Sequence, residues 1–220
     1  MGLDEALLLS EDAPPTLRLY TWAPRTLSLG YFQRCADVPA CAEAAAVVRR
    51  ITGGGAIHHA GELTFSIAAR LDHALYRGST ADSYRRVHAA IAESLVPFGI
   101  EAGLCGGMPP LSDQSGTGMC FHRSTALDLV WNGRKGAGSA QRRKGARVLH
   151  HGSIKLAIDA LEPGTAVVDG SAGPLEAEDF APHLRAALER ALGMRLAADV
   201  PTREEREHAR ELAPRYVDPA

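Results

Sequence analysis

The run Arg49-Arg50-Ile51-Thr52-Gly53-Gly54-Gly55-Ala56-Ile57-His58-His59 holds residue types suited to ligand chemistry. Glycines admit positive φ and leave no side chain between backbone N–H groups and a ligand. Arginines beside such a loop supply charge and fixed donor geometry for a carboxylate or phosphate. The run reads as a place where an anionic or acyl-bearing small molecule lies against the main chain. A bare GGG is more often a mobile turn, so this reading depends on what else the chain brings. A second run, Gly133-Arg134-Lys135-Gly136-Ala137-Gly138-Ser139-Ala140-Gln141, places a lysine among small residues at a hairpin exit, and His150-His151-Gly152-Ser153 follows. A crowded lysine can hold a carbonyl oxygen, or act as a base if its pKa is depressed.

The elements around these runs suggest how they are positioned. Leu3–Leu9 reads as a short helix. Residues 16–22 and 26–31 read as strands able to pair across Ala23-Pro24-Arg25. Residues 36–46 look helical, 46–50 form a strand entering the glycine loop, and 62–71 alternate as a half-buried strand does. Residues 80–98 form the clearest helix, with Val87, Ile91, Leu95 and Phe98 on one face and Gly99 as a stop. Residues 103–118 are rich in Gly, Pro and Ser and read as an irregular loop. Strands follow at 126–131, 136–141 and 148–158, with Asn132-Gly133 as a hairpin turn, and helices at 176–192 and 202–212. Strands grouped between helices predict an α+β fold with a mixed or antiparallel sheet.

With 220 residues and 45% hydrophobic content the chain suits one domain with a proper core. A net charge of −2 argues against a nucleic-acid binder, although 134–147 hold six Lys/Arg and no acid. No run is apolar and long enough to cross a membrane. Cys35, Cys41, Cys105 and Cys120 lack CxxC spacing and are expected as reduced thiols. No HExxH or HxxxH pattern suggests a metal, the acidic residues show no catalytic dyad, and Trp22 and Trp131 read as packing residues.

The two runs in this order, RRITGGGAIHH…ELTFS and GRKGAGSAQRRKG…LHHGSI, closely resemble the lipoate–protein ligase and octanoyltransferase family. MGLDEALL and PTLRLYTWAPRTLSLGYFQ resemble that family's opening helix and first hairpin. The resemblance covers residues 1–195, read as the catalytic domain, with 196–220 as a C-terminal helical tail. It implies the fold of the class II aminoacyl-tRNA synthetase and biotin–lipoate ligase catalytic domains. It also implies a cytoplasmic enzyme that attaches an octanoyl or lipoyl group to a carrier lysine. Arg50, Gly53, Gly54, Gly55 and His59 would then line one wall of an acyl pocket, and Gly138, Ser139, Ala140, His151 and Gly152 the other. Lys135 would bind the acyl carbonyl and help activate the attacking amine.

Cys120, in Gly118-Met119-Cys120-Phe121, resembles the cysteine of octanoyltransferases that work through a thioester. A thiolate near cations forms readily and attacks a carrier thioester. On that branch the expected partners are octanoyl-acyl carrier protein as donor and, as acceptor, a lipoyl domain of a 2-oxoacid dehydrogenase or a glycine-cleavage H protein. No cofactor is needed. The alternative branch is a ligase that activates lipoate with ATP and Mg, with Cys120 structural. The 28 residues after Leu192 are too few for the accessory domain of many ligases. A third reading is a non-catalytic acyl-binding relative. Biotin ligase is disfavoured, since its GRGRxGR-type loop is absent. Departures from the family are Ala60 where Asp is common, no Pro-Ser after Cys120-Phe121, and a start almost inside the opening helix, where family members usually have a further segment.

Overall fold

The computed structural model describes residues 1–170 and 173–217. In chain order the elements are α1 (Gly2–Leu9), β1 (Thr16–Tyr20), β2 (Thr26–Leu29), β3 (Val47–Arg49), β4 (Ile57–His59) and β5 (Glu62–Arg70). Then come α2 (Thr80–Leu95), β6 (Gly103–Leu104), β7 (Leu129–Trp131), β8 (Arg134–Lys144), β9 (Arg147–Lys155), α3 (Ala177–Leu192) and α4 (Arg203–Leu212). A six-stranded antiparallel sheet has the order β1-β5-β9-β8-β7-β6. A smaller sheet, β3-β2-β4, is mixed, with β2 parallel to β3 and antiparallel to β4. The α+β expectation holds.

Alternation along β5 decides what lies on each face of the large sheet. Leu63, Phe65, Ile67 and Ala69 join the main core with Val87, Ile91 and Leu95 of α2 and Phe180, Leu184 and Leu188 of α3. Glu62, Thr64 and Ser66 point to the other face and are also buried, so that face carries polar groups that must find partners inside the protein. Helix α2 starts at a reciprocal capping box between Ser79 and Asp82 and ends through Gly99 at φ +73°. Asn132 and Gly133 both take positive φ, as a tight β7–β8 hairpin with a primed turn requires. Helices α1 and α4 pack on each other through Ala6, Leu212 and Tyr216, whose hydroxyl donates to Glu5.

Three expectations fail here. β1 and β2 do not form a hairpin: β1 pairs with β5, while β2, buried at all four positions, crosses to the small sheet. Leu27 and Leu29 there seat a second core with Val38, Ala56 and Met119. Residues 36–46 form no α-helix, only 3-10 turns at Cys35–Asp37 and Pro39–Ala42. Pro39 forces Val38 into an extended conformation and removes an N–H, which interrupts any helix at that point. Cys35 and Cys41, expected as separate thiols, are joined as a disulfide with Cα atoms 5.8 Å apart. Among the described residues no helix is long and apolar enough to cross a membrane.

Candidate active site

The glycine loop connects β3 to β4 and is built around one buried arginine. Arg50 Nη1 donates to Ser28 O (2.6 Å) and Ser28 Oγ (2.7 Å), and Nη2 donates to Gly55 O (2.8 Å) and Gly53 O (3.3 Å). The terminal nitrogens that suggest an anion-binding arginine are therefore spent on Ser28 of β2 and on two carbonyls of the loop. Gly54 sits at φ +99°, where a side chain would be strained. Gly55 has a different reason to be glycine: a Cβ there would lie 2.8 Å from Cys120 N and 2.9 Å from its Cα. The two segments are joined by Ala56 N–H to Gly118 O (2.9 Å) and Cys120 N–H to Ala56 O (2.7 Å). The glycine loop and the cysteine segment, far apart in sequence, are thus one backbone unit.

Cys120 Sγ lies 3.6 Å from Lys135 Nζ. The lysine is 1% exposed, and its Nζ donates to Cys120 O (2.9 Å), Arg123 O (3.2 Å) and Asp128 Oδ2 (2.9 Å). Burial pushes its pKa down, but the Cys120 sulfur and the Asp128 carboxylate outweigh that and hold it above the ordinary lysine value. Gly138 gives the lysine its path, since a Cβ there would crowd Lys135 Cε at 3.1 Å.

Behind the glycine loop lies the polar face of β5. His59 Nε2 meets Ser28 Oγ (2.6 Å) and Nδ1 meets Glu62 Oε1 (2.5 Å). The Glu62 carboxylate can only accept, so the imidazole proton is assigned to Nδ1, and Nε2 of the neutral ring accepts the Ser28 hydroxyl proton. Burial lowers the His59 pKa and keeps the ring neutral. Glu62 also takes Ser153 Oγ (2.7 Å), Thr64 Oγ1 (2.9 Å) and the buried Lys155 ammonium (3.0 Å), which also meets Glu162 (2.7 Å). Burial would raise Glu62, but His59 and Lys155 outweigh it and hold its carboxyl well below the usual range. His151 Nε2 meets Thr52 Oγ1 (2.6 Å), and its Nδ1 lies 3.9 Å from the buried Asp4.

Two cavities meet at the cysteine. A narrow, mostly apolar slot is lined by ten of the residues singled out in the sequence: Arg50, Gly53, Gly54, His59, Cys120, Gly138, Ser139, Ala140, His151 and Gly152. A wider cleft of about 1120 Å³ is lined by the other two, Gly55 and Lys135, and by the 113–128 segment. Gly54, Cys120 and Ser139 line both. Ser139 contributes backbone, because its hydroxyl is held by His88 of α2 (2.6 Å) and by His150 (2.8 Å) behind the sheet. His58 likewise serves elsewhere, against Asp159 at 2.6 Å.

Several site residues escaped the sequence reading. Trp22 is no simple packing residue: it stacks on His59 at 4.2 Å and lines the slot. Asp128, Glu62, Lys155 and Asp4 form the buried partners. No local signal marks Glu62, because the alternation of 62–71 fits a half-buried strand while β5 is buried at every position but Arg70; Lys155 and Asp4 carry none either.

A mostly apolar slot ending at a cysteine beside a buried cation suits a small molecule with an apolar chain and a reactive head. A family model described as lipoyl protein ligase A/B catalytic domain matches residues 1–178, and the chain belongs to that family. The chain is 42% identical over 166 residues to octanoyltransferase LipM of Moorella thermoacetica, covering 72% of this chain and 61% of that protein. To octanoyltransferase LipM of Kyrpidia tusciae it is 34% identical over an alignment 250 positions long, gaps included, covering 99% of this chain and 91% of that protein. In the first of these matches the chain therefore spans less than two thirds of the relative's length. In fold it is similar to a putative lipoate protein ligase from T. acidophilum with bound lipoic acid, with a TM-score of 0.77 at 23% identity over 97% of this chain and 88% of that one. A lipoate-protein ligase A bound with ATP gives 0.75 at 23% identity over 96% and 87%.

Proposed function

We propose that the chain is an octanoyltransferase that moves an octanoyl group from acyl carrier protein to a lysine of a lipoyl domain or glycine-cleavage H protein. The observation that carries this reading is the 3.6 Å approach of Cys120 Sγ to Lys135 Nζ where the slot meets the cleft. Two named LipM relatives support it. The Cys120 thiolate, stabilised by the neighbouring ammonium, attacks the thioester carbonyl. The Cys120 S–C bond forms as the donor C–S bond breaks, and the carrier thiolate leaves and takes up a proton. The acyl chain occupies the slot and the carrier reaches in through the cleft. The lysine amine then attacks, an amide C–N bond forms, the Cys120 S–C bond breaks with Cys120 leaving as thiolate, and the proton released by the amine passes to bulk water. Thioester exchange is close to isoenergetic, so no nucleotide is consumed. In this scheme Lys135 acts as a fixed cation, because three hydrogen bonds and a raised pKa keep its proton in place.

The test is intact-mass analysis after incubation with octanoyl-acyl carrier protein. One octanoyl group should appear on the wild type and be chased onto an added lipoyl domain, and Cys120→Ser should do neither. Full transfer by Cys120→Ser, or lipoate-dependent ATP–pyrophosphate exchange by the wild type, would overturn the reading in favour of a ligase.

A further inference from the structure

Phe32 is 86% exposed, while Phe65, Phe121 and Phe180, three of the chain's five phenylalanines, are fully buried. It stands edge-on to Tyr31, itself 49% exposed, in the turn that leaves β2. This turn is held rigid. Arg49 Nη1 donates to the carbonyls of Gly30, Tyr31 and Gln33, Tyr31 N–H donates to Thr52 O (2.9 Å), and Gln33 N–H donates to Gly30 O (3.0 Å). The Gln33 side chain lines the wide cleft and donates to Gly118 O (2.8 Å), two residues from Cys120. An exposed aromatic pair fixed next to Gln33 of the cleft wall has already lost the freedom that binding would otherwise cost, as an interface anchor does. Beside it the exposed Arg142 guanidinium lies 5.8 Å from the Tyr31 ring, and Lys144 is exposed further along β8. These two belong to the segment with six cations and no acid, whereas the nearby Arg34 is already balanced by Asp37.

We infer that the Tyr31–Phe32 turn, with Arg142 beside it, is the docking surface for an acidic protein domain that presents the acceptor lysine. This rests on the acyl-transfer reading above. The acceptor is the occupant because a lysine side chain is short: for its amine to reach Cys120, the body of its domain must come to the cleft mouth. A cationic rim around an apolar anchor complements an acidic surface with an apolar centre.

The experiment loads Cys120 of the full chain with octanoyl-coenzyme A and, in parallel, with octanoyl-acyl carrier protein, then follows transfer to a purified acidic apo-lipoyl domain or to hydroxylamine. For Phe32→Ala and Arg142→Glu, KM for the domain should rise about tenfold or more. Maximal transfer rate, loading rate and cleavage by hydroxylamine should stay as in the wild type, and raised salt should narrow the gap for Arg142→Glu. An unchanged KM for the domain overturns the inference. So does a loss shared with hydroxylamine, a defect confined to octanoyl-acyl carrier protein as donor, or a change in oligomeric state with no change in KM. If no octanoyl thioester loads Cys120 in the wild type, the acyl-transfer reading is what has failed. Calorimetric titration of the lipoyl domain then decides the docking surface, and equal affinities for wild type and Phe32→Ala overturn it.

Discussion

Cys120 Sγ and Lys135 Nζ face each other at 3.6 Å, and the lysine is locked there by Asp128 and two backbone carbonyls. The sulfur therefore meets a cation that does not swing away. Replacing it by Lys135→Met removes that cation and leaves the buried Asp128 carboxylate without its partner. A thiolate without a neighbouring cation forms less readily and is the nucleophile lost. The rate of Cys120 alkylation by iodoacetamide at about pH 7 should fall several-fold, with Cys105 as the internal comparison. An unchanged rate would remove the lysine from thiolate stabilisation.

Gly55→Ala should injure the cysteine segment without touching any ligand. The added Cβ would meet Cys120 N, Cys120 Cα and Gly118 O, all within 2.9 Å, and these are backbone atoms that cannot rotate aside. Overpacking of this kind costs about 1–3 kcal/mol. The expected outcome is a lower denaturation midpoint together with slower Cys120 acylation. Gly53→Ala meets nothing within 4 Å and should shift stability by less than about 0.5 kcal/mol.

Stability should fall in two stages as the solution is acidified. Burial depresses the pKa of His59, His88, His150 and His151, so each is neutral when folded. The unfolded chain takes up protons near pH 6.5 that the folded chain refuses, so their stabilisation is present above that pH and declines below it. Asp4 and Glu62 are held low, Asp4 by His151 and Arg18 and Glu62 by His59 and Lys155, against the opposing effect of burial. Their contribution is present above about pH 4 and is lost as pH falls further. Thermal midpoints measured from pH 8 to pH 3 should show both declines. Glu62→Gln should lower the midpoint at neutral pH, because breaking a buried pair costs about 3–5 kcal/mol, and should weaken the second decline.

The walls of the slot were legible in the sequence because backbone recognition leaves a local mark, a cluster of small residues around one or two charged ones. Nine of the ten singled-out residues that line it stand in two short runs, and Cys120 in a separate segment between them. Lys135 was legible as a crowded lysine, but not its state, because that depends on Asp128 and on carbonyls of Cys120 and Arg123. Likewise Glu62, Lys155 and Glu162 come together only through the β5–β9 pairing and the loop after β9. The β1–β2 hairpin was misread for the converse reason. Both segments alternate correctly and a proline turn joins them, yet β2 finds better burial between β3 and β4 than beside β1. Local pattern identifies a strand, while its partner is chosen by the whole core.

Arg50 separates two kinds of role that look alike in sequence. If it held the substrate directly, Arg50→Lys would keep the charge, raise KM and leave the fold intact. The structure spends its guanidinium instead on Ser28, Gly53 and Gly55, bridging β2 to both ends of the glycine triplet. A lysine ammonium has no planar fork to span those carbonyls, so at least one buried acceptor is left unsatisfied. The loss should be about 1.5–3 kcal/mol in urea denaturation. Because Gly55 packs on Cys120, slackening of the loop should also slow octanoyl loading at saturating donor. A variant of wild-type stability with only a raised KM would return Arg50 to direct substrate contact. A joint fall in stability and maximal loading rate identifies it as the residue that shapes the loop holding the cysteine.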